Sequence, residues 1–153
     1  MKLTQSELNE LNTYLKDYAS TPEAQSMKHY YQHGNVSTFE HVMHVTQTSY
    51  YLNKRFHLGA DMKSLVIGSF LHDFYLYDWH EKDDSHRWHG FHHPTRALSN
   101  ANRLFSLNQT EQDIIKNHMW PLTIQSLPKS KESLLVCFVD KYCSTIETLF
   151  RRS

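Results

Sequence analysis

The sequence predicts an all-α fold, one helical bundle of about six to seven helices, on three observations. Its 153 residues hold only four glycines and four prolines, so the residues that punctuate strands and tight turns are sparse. Capping-box patterns, Ser or Thr followed three residues later by Glu, stand ahead of apolar residues at helical spacing. No apolar alternation of period two is sustained, and no internal repeat or low-complexity tract occurs.

Each element follows from local signals. Thr4-x-x-Glu7 precedes Leu8, Leu11 and Leu15, one face of a first helix over about 4–18. Pro22, at a first-turn position, opens a short second helix that Gly34 ends. Ser37-x-x-Glu40 begins a third, to about His57, with Val42, Val45, Leu52 and Phe56 on its apolar side and a stop at Gly59. Asp61 caps a fourth, which runs to about Tyr75. The His-rich segment from Tyr77 to His92 has no clear period and reads as a loop. Pro94 restarts a helix, with His93 at its N-cap, to about Phe105; Thr110 caps the next, which ends near Met119 because Trp120 precedes Pro121. A last helix spans about Lys131 to Leu149.

Composition narrows the function. Lys plus Arg and Asp plus Glu each number 16, so no basic field gathers phosphate backbones and a nucleic-acid polymer is not an expected partner. The opening "MKLTQSELNELNTYLK" lacks a signal-peptide core, and no apolar run approaches the ~20 residues of a membrane span. The expectation is a cytoplasmic protein with no membrane partner. Cys137 and Cys143 lie six apart in one predicted helix, about 9 Å along its axis, too far for a disulfide, and read as packing residues.

The stretch "SFLHDFYLYDWH", Ser69 to His80, carries the chemical question. Between Lys63 and Asp78 the only groups that ionise near neutral pH are His72 and Asp73, set among Leu, Val, Ile, Phe and Tyr. An ionised carboxylate taken out of water costs several kcal/mol or more unless it is paired or bound to a metal. Four other positions share this oddity: His41 inside the third helix, His93 beside Pro94, His118 ahead of "MWP", and Asp140 at the end of the apolar run "LLVCFVD". Taken singly, each has a plainer account: a His at a helix end is a hydrogen-bonder, and Asp140 can pair with Lys141 or an Arg. Their number in one small domain argues for a shared purpose. Neutral imidazole and ionised carboxylate together suit a divalent transition metal, which offsets the burial of Asp73. Adjacent residues on an ideal helix point about 100° apart, so His72 and Asp73 cannot both aim at one ion without help; a carboxylate bridging two ions would relieve this.

"FEHVMHV" (Phe39–Val45), "LHDF" (Leu71–Phe74) and "FVDK" (Phe138–Lys141) resemble the H…HD…D signature of the HD-domain superfamily of metal-dependent phosphohydrolases. "FHHPTRA" and "IIKNHMWP" supply His93 and His118, which look like the extra histidines of its dinuclear branch, H…HD…H…H…D. The resemblance covers about residues 37–146, with 1–36 as an extension of the same domain. It implies one ion on His41, His72, Asp73 and Asp140, and a second on His93 and His118 with Asp73 bridging. Fe or Mn are the leading metals, with Zn, Ni, Co or Mg as alternatives. The implied activity is hydrolysis of a phosphoester or phosphoanhydride in a nucleotide or other small phosphorylated metabolite. Two departures qualify it. Where relatives of the dinuclear branch often carry a Lys after the HD pair, this chain has Phe74, Tyr75, Leu76 and Tyr77; the Gly-Tyr-Pro signature of cyclic-dinucleotide phosphodiesterases is replaced by His92-His93-Pro94. Candidates for contacting phosphate are therefore His89, Arg96 and Lys141, each beside an expected ligand. His44, His80, His86 and His92 read as surface or structural residues. Phe74, Tyr75, Tyr77, Trp79, Trp88 and Phe91 flank the expected pocket, as stacking surface or as core anchors. Two other classes fit the same residues: a di-iron oxygenase of this superfamily, and a non-catalytic helical module that binds metal or nucleotide. A homodimer is compatible with the sequence, which does not fix the oligomeric state.

Overall fold

The computed structural model describes residues 2–33, 35–77 and 89–150. These form seven α-helices: α1 (Gln5–Ala19), α2 (Pro22–Ser26), α3 (Thr38–Phe56), α4 (Met62–Leu71), α5 (His89–Leu104), α6 (Gln109–Asn117) and α7 (Lys131–Phe150). The fold is all-α, as the sequence predicts. The helix starts are chemically explicit. Thr4 accepts from the Glu7 N–H while the Glu7 carboxylate accepts from the Thr4 N–H, and Ser37 and Glu40 repeat the exchange at α3. Asp61 accepts from the Ser64 N–H at 2.8 Å, and Pro22 follows a Thr21 cap.

Four boundaries differ from the sequence reading. The cap of α6 is Asn108, not Thr110, because Glu111 closes a box onto it, whereas Asp113, at the matching distance from Thr110, accepts instead from the N–H groups of Lys129 and Ser130. The second helix stops at Ser26, well before Gly34, which lies outside the described residues. A 3₁₀ turn (Met27–His29) and an antiparallel hairpin of β1 (Tyr31–His33) and β2 (Val36–Ser37) follow, with Tyr31 opposite Ser37. The strands are too short to show a period, but they turn Tyr31 to solvent and bury Gln32. α5 begins at His89, so His93 lies within the helix and Pro94 inside it. Pro94 forfeits one i−4 bond close to the helix start, and its fixed φ suits the helix. Lastly, α4 ends at Leu71 and not near Tyr75; the apolar run continues past the backbone helix as buried turn residues Phe74 and Tyr75.

The core has two parts. Leu11, Leu15, Met27, Val42, Tyr50, Val66, Ile67, Phe70, Ala97 and Ala101 join α1, α3, α4 and α5; Val45, Leu65, Ile114, Val136, Val139 and Cys143 join α3, α4, α6 and α7. The central element is α4, buried from Ser64 to Leu71, as expected of a helix apolar on every side. Its C-terminus therefore delivers His72 and Asp73 to the middle of the bundle. Gly68 permits this crowding: a Cβ there would stand 2.5 Å from Ile114 Cδ1 on α6. Cys137 and Cys143 are free and buried. Among the described residues no helix is long and apolar enough to cross a membrane.

Candidate metal centre

Five helices converge on one buried cluster. His41 comes from the first turns of α3, His72 caps the end of α4 with Asp73 next to it, His93 lies on α5, His118 caps the end of α6, and Asp140 lies on α7. All six side chains are buried. Their ligand atoms form three overlapping groups, His41–His72–Asp73, His72–His118–Asp140 and Asp73–His93–His118, each with its atoms within 4.8 Å of one another.

The end of α4 at Leu71 resolves the angular problem posed by adjacent His and Asp. His72 keeps helical dihedrals as the C-cap, and the chain then turns, so Asp73 is not held to the helical direction. Its carboxylate presents one oxygen to each of two histidine pairs. Oδ2 lies 3.7 Å from His41 Nε2 and 3.5 Å from His72 Nε2. Oδ1 lies 3.1 Å from His93 Nε2 and 3.4 Å from His118 Nε2. Asp140 Oδ1 closes the first side at 3.1 Å from His41 Nε2 and 3.6 Å from His72 Nε2.

Outer partners set the tautomers. Nδ1 of His72 donates to the Ser69 carbonyl at 2.6 Å and Nδ1 of His118 to the Ile115 carbonyl at 2.9 Å, because a carbonyl can only accept. Nδ1 of His41 donates likewise to Glu147 Oε2 at 2.8 Å. In neutral rings the Nε2 lone pairs are then turned inward, the arrangement of metal-ligating histidines. Burial opposes charge on His41, but hydrogen bonds to Asp140 and Glu147 prevail and push its imidazolium up to about 10. His72 is raised too, the Asp73 charge overcoming burial, whereas burial wins at His118 and lowers it. Burial also opposes the carboxylates, yet the surrounding histidines hold Asp73 and Asp140 well below the ordinary range. Both carboxylates are thus ionised, with the raised imidazoles of His41 and His72 beside them.

Among the described residues, His72 Nε2 and Asp73 Oδ1 are buried without an aligned hydrogen bond, and Nε2 of His93 faces Nε2 of His118 at 2.9 Å. Imidazole nitrogens from four histidines gathered around two ionised carboxylates make an N/O donor set that suits a divalent transition metal. These buried His and Asp groups can hold a metal ion.

Several supporting residues escape a sequence reading. Gln32 Nε2 donates to Asp73 Oδ2 at 2.7 Å, and the Tyr75 hydroxyl bonds Gln32 Oε1. Glu147 is a further buried acid on α7, seven residues after Asp140 and so on the same helical face; that spacing was the available signal. Its carboxyl falls to about 2, burial being outweighed by His41 and His44. His44 is not simply a surface histidine: half-buried, its Nδ1 meets Glu147 Oε1 at 2.7 Å. Lys141, expected near phosphate, instead donates to the carbonyls of His118 (2.9 Å) and Cys137 (3.3 Å), because the open C-terminal end of α6 offers acceptors beside it. Arg96 packs its guanidinium 5.1 Å from the Tyr77 ring centre, and Tyr75 stands between Tyr77 and His93 with ring centres at 5.0 and 5.8 Å. His92 is exposed, and Phe74 is core. The side chains of His89 and Phe91, and His80, His86, Trp79 and Trp88 entirely, lie outside the described residues. No protein-family model, curated protein or solved structure matches the chain.

Proposed function

We propose that this chain is an HD-type metal-dependent phosphohydrolase that cleaves a phosphoester or phosphoanhydride of a nucleotide or other small phosphorylated metabolite. The single observation that carries the reading is the Asp73 carboxylate, whose two oxygens face two different histidine pairs. His41, His72, Asp73 and Asp140 would hold one ion, and His93 and His118 a second, with Asp73 common to both. When bound, such ions supply a water of lowered pKa and neutralise charge on phosphoryl oxygens. The chain's own groups hold and orient. Carbonyl and carboxylate acceptors lock the His41, His72 and His118 rings. Gln32, buttressed by Tyr75, fixes the rotamer of Asp73. Arg96, one turn along α5 from His93, brings a planar cation suited to phosphate oxygens, and the Tyr77 and Tyr75 rings pack in succession between it and the His93 ring.

The test is element-resolved metal content of wild type and Asp73→Ala, purified without added metal or chelator, beside phosphate release from nucleotides, dinucleoside polyphosphates and small phosphomonoesters. The expected result is about two Fe or Mn per wild-type chain, as a two-metal site requires, lost with activity in the variant. A wild type that takes up no metal on reconstitution, or an Asp73→Ala protein that releases phosphate as fast as wild type, refutes the reading.

A second reading, oxidation of an organic substrate at an HD-type di-iron centre, is favoured by one observation: Lys141 is engaged with carbonyls, which leaves the phosphate clamp to Arg96 among the described candidates. Turnover of a phosphoester with Mn under anaerobic conditions would exclude it.

A further inference from the structure

We infer that Glu147 is a positioning residue for the metal centre: its carboxylate, shared between His41 and His44, fixes the His41 ring and so sets the affinity of the cluster for metal. The inference rests on the reading that the cluster holds a divalent ion.

Glu147 projects from the start of the last turn of α7 and is almost wholly buried, only 3% of its side chain being exposed. A carboxylate so placed requires partners, and it has one for each oxygen: His41 Nδ1 on Oε2 at 2.8 Å and His44 Nδ1 on Oε1 at 2.7 Å. The two histidines are three residues apart on α3 and share a face. The carboxylate is therefore clamped, since a rotation that relaxes one bond lengthens the other. His72 and His118 are oriented differently, by carbonyls of their own helices at Ser69 and Ile115. Those anchors come with the helix ends; the His41 anchor comes from another helix altogether and carries a charge. A carboxylate behind an imidazole raises its basicity as a ligand and holds its tautomer, and removing such a partner costs 10–100-fold in metal affinity in comparable sites.

The second half of the clamp reaches the surface. His44 and Glu147 both line a cleft of about 520 Å³ with Gln47, Tyr51, Tyr142 and Ile146. His44 keeps 34% of its side chain exposed and makes no contact with the six cluster residues among the interactions described. It nevertheless lies two hydrogen bonds, through Glu147, from the His41 ring. A change at this outer histidine should therefore be felt as metal affinity.

The test uses the full chain, stripped of metal and titrated with Zn against a competing chelator, for wild type, Glu147→Gln, Glu147→Ala and His44→Gln, with Thr145→Ala on the exposed side of α7 as control. Glu147→Gln keeps the shape but offers one acceptor oxygen, so affinity should fall about tenfold, and further in Glu147→Ala. His44→Gln should weaken binding by several-fold. The visible spectrum of the Co-loaded chain should shift in Glu147→Gln and stay as wild type in Thr145→Ala, a change that a loss of stability alone would not produce. Should Glu147→Ala fail to fold, the Gln and His44 variants still decide. Wild-type affinity and Co spectrum in both Glu147→Gln and His44→Gln would overturn the inference and leave the metal reading standing. A wild type that binds no Zn, Co, Mn or Fe would overturn both.

Discussion

Replacing Gly68 with Ala tests how the cluster is spaced. Gly68 and Ile114 each stand one helical turn before a ligand, His72 at the end of α4 and His118 at the end of α6. The contact between them sets the separation of two rings whose centres are 4.9 Å apart. A Cβ on residue 68 would meet Ile114 Cδ1 at 2.5 Å, Cβ at 2.9 Å and Cγ2 at 3.1 Å, where ordinary contact begins at 3.4 Å. The Cδ1 clash can be relieved by rotating χ2, although Ile114 is fully buried and has no solvent to turn into. The Cβ clash cannot, because that atom moves only with the backbone. The two helices must therefore part by about half an ångström, more than the ±0.2 Å tolerance of metal–ligand distances. Overpacking costs about 1–3 kcal/mol, and the better helix propensity of Ala returns about 0.5–1 kcal/mol. The expected net loss is about 1 kcal/mol, read as a lower urea midpoint at unchanged m, together with weaker Zn binding. Adding Ile114→Ala should show coupling: alone it costs about 2–5 kcal/mol, but the double variant should be more stable than the two losses combined imply. A Gly68→Ala protein as stable as wild type, binding Zn as tightly and uncoupled from Ile114, would refute the spacing argument.

Metal binding should also appear in thermal melts. An ion bound only by the folded chain adds RT ln(1 + [L]/Kd), about 2.7 kcal/mol at a hundredfold excess over Kd, so reconstitution should raise Tm by about 5–10 °C and a chelator reverse it; an unmoved Tm counts against the site. Asn108→Ala removes the cap bond to the Glu111 N–H and the 2.9 Å bond to Ser64 Oγ on α4, and should cost about 1 kcal/mol by denaturation; Asn108→Asp should retain most of the cap. Glu7 is held below its ordinary value of 4.5, chiefly by the Thr4 backbone and side-chain hydrogen bonds with help from Arg55. Its folded pKa is lower than its unfolded one, so its contribution is complete above about pH 4.5 and fades as the pH falls through the folded value. Glu7→Gln should accordingly lose stability at pH 7 and show a shallower acid limb than wild type, measured by midpoint against pH.

The starts of α1, α3 and α4 were legible in the sequence because capping is local: the signal at Ser37 and Glu40 and the bonds that answer it lie within four residues. Asp73 and Asp140 were legible for a different reason, as acids inside apolar runs whose burial demanded a partner. Where sequence reasoning failed, tertiary contacts decided. The apolar run through Phe74 and Tyr75 gave no warning that α4 stops at Leu71, since buried turn and buried helix look alike in composition. Gln32 enters the site through a hairpin too short to show alternation. Glu147 stands in the polar stretch "STIETLF", where an acid reads as solvated; its burial follows from α7 packing on α3. Lys141 follows Asp140 directly, and neighbours in a helix do not face each other, so its ammonium goes to α6 instead.

The cluster is also assembled from distant parts of the chain. His41 is 99 residues from Asp140 and 106 from Glu147, and α7 is the last of the described helices. A cation joining these groups would act as a clasp across a loop of most of the described chain, whose closure entropy is large but grows only slowly with length. During synthesis the clasp has nothing to close on until α7 has emerged: a nascent chain ending before it has Asp73 and all four histidines of the cluster, but neither Asp140 nor the carboxylate behind His41. Occupancy of the cluster would then distinguish a chain that includes α7 from one truncated before it, so that the last of the described helices would lock the others.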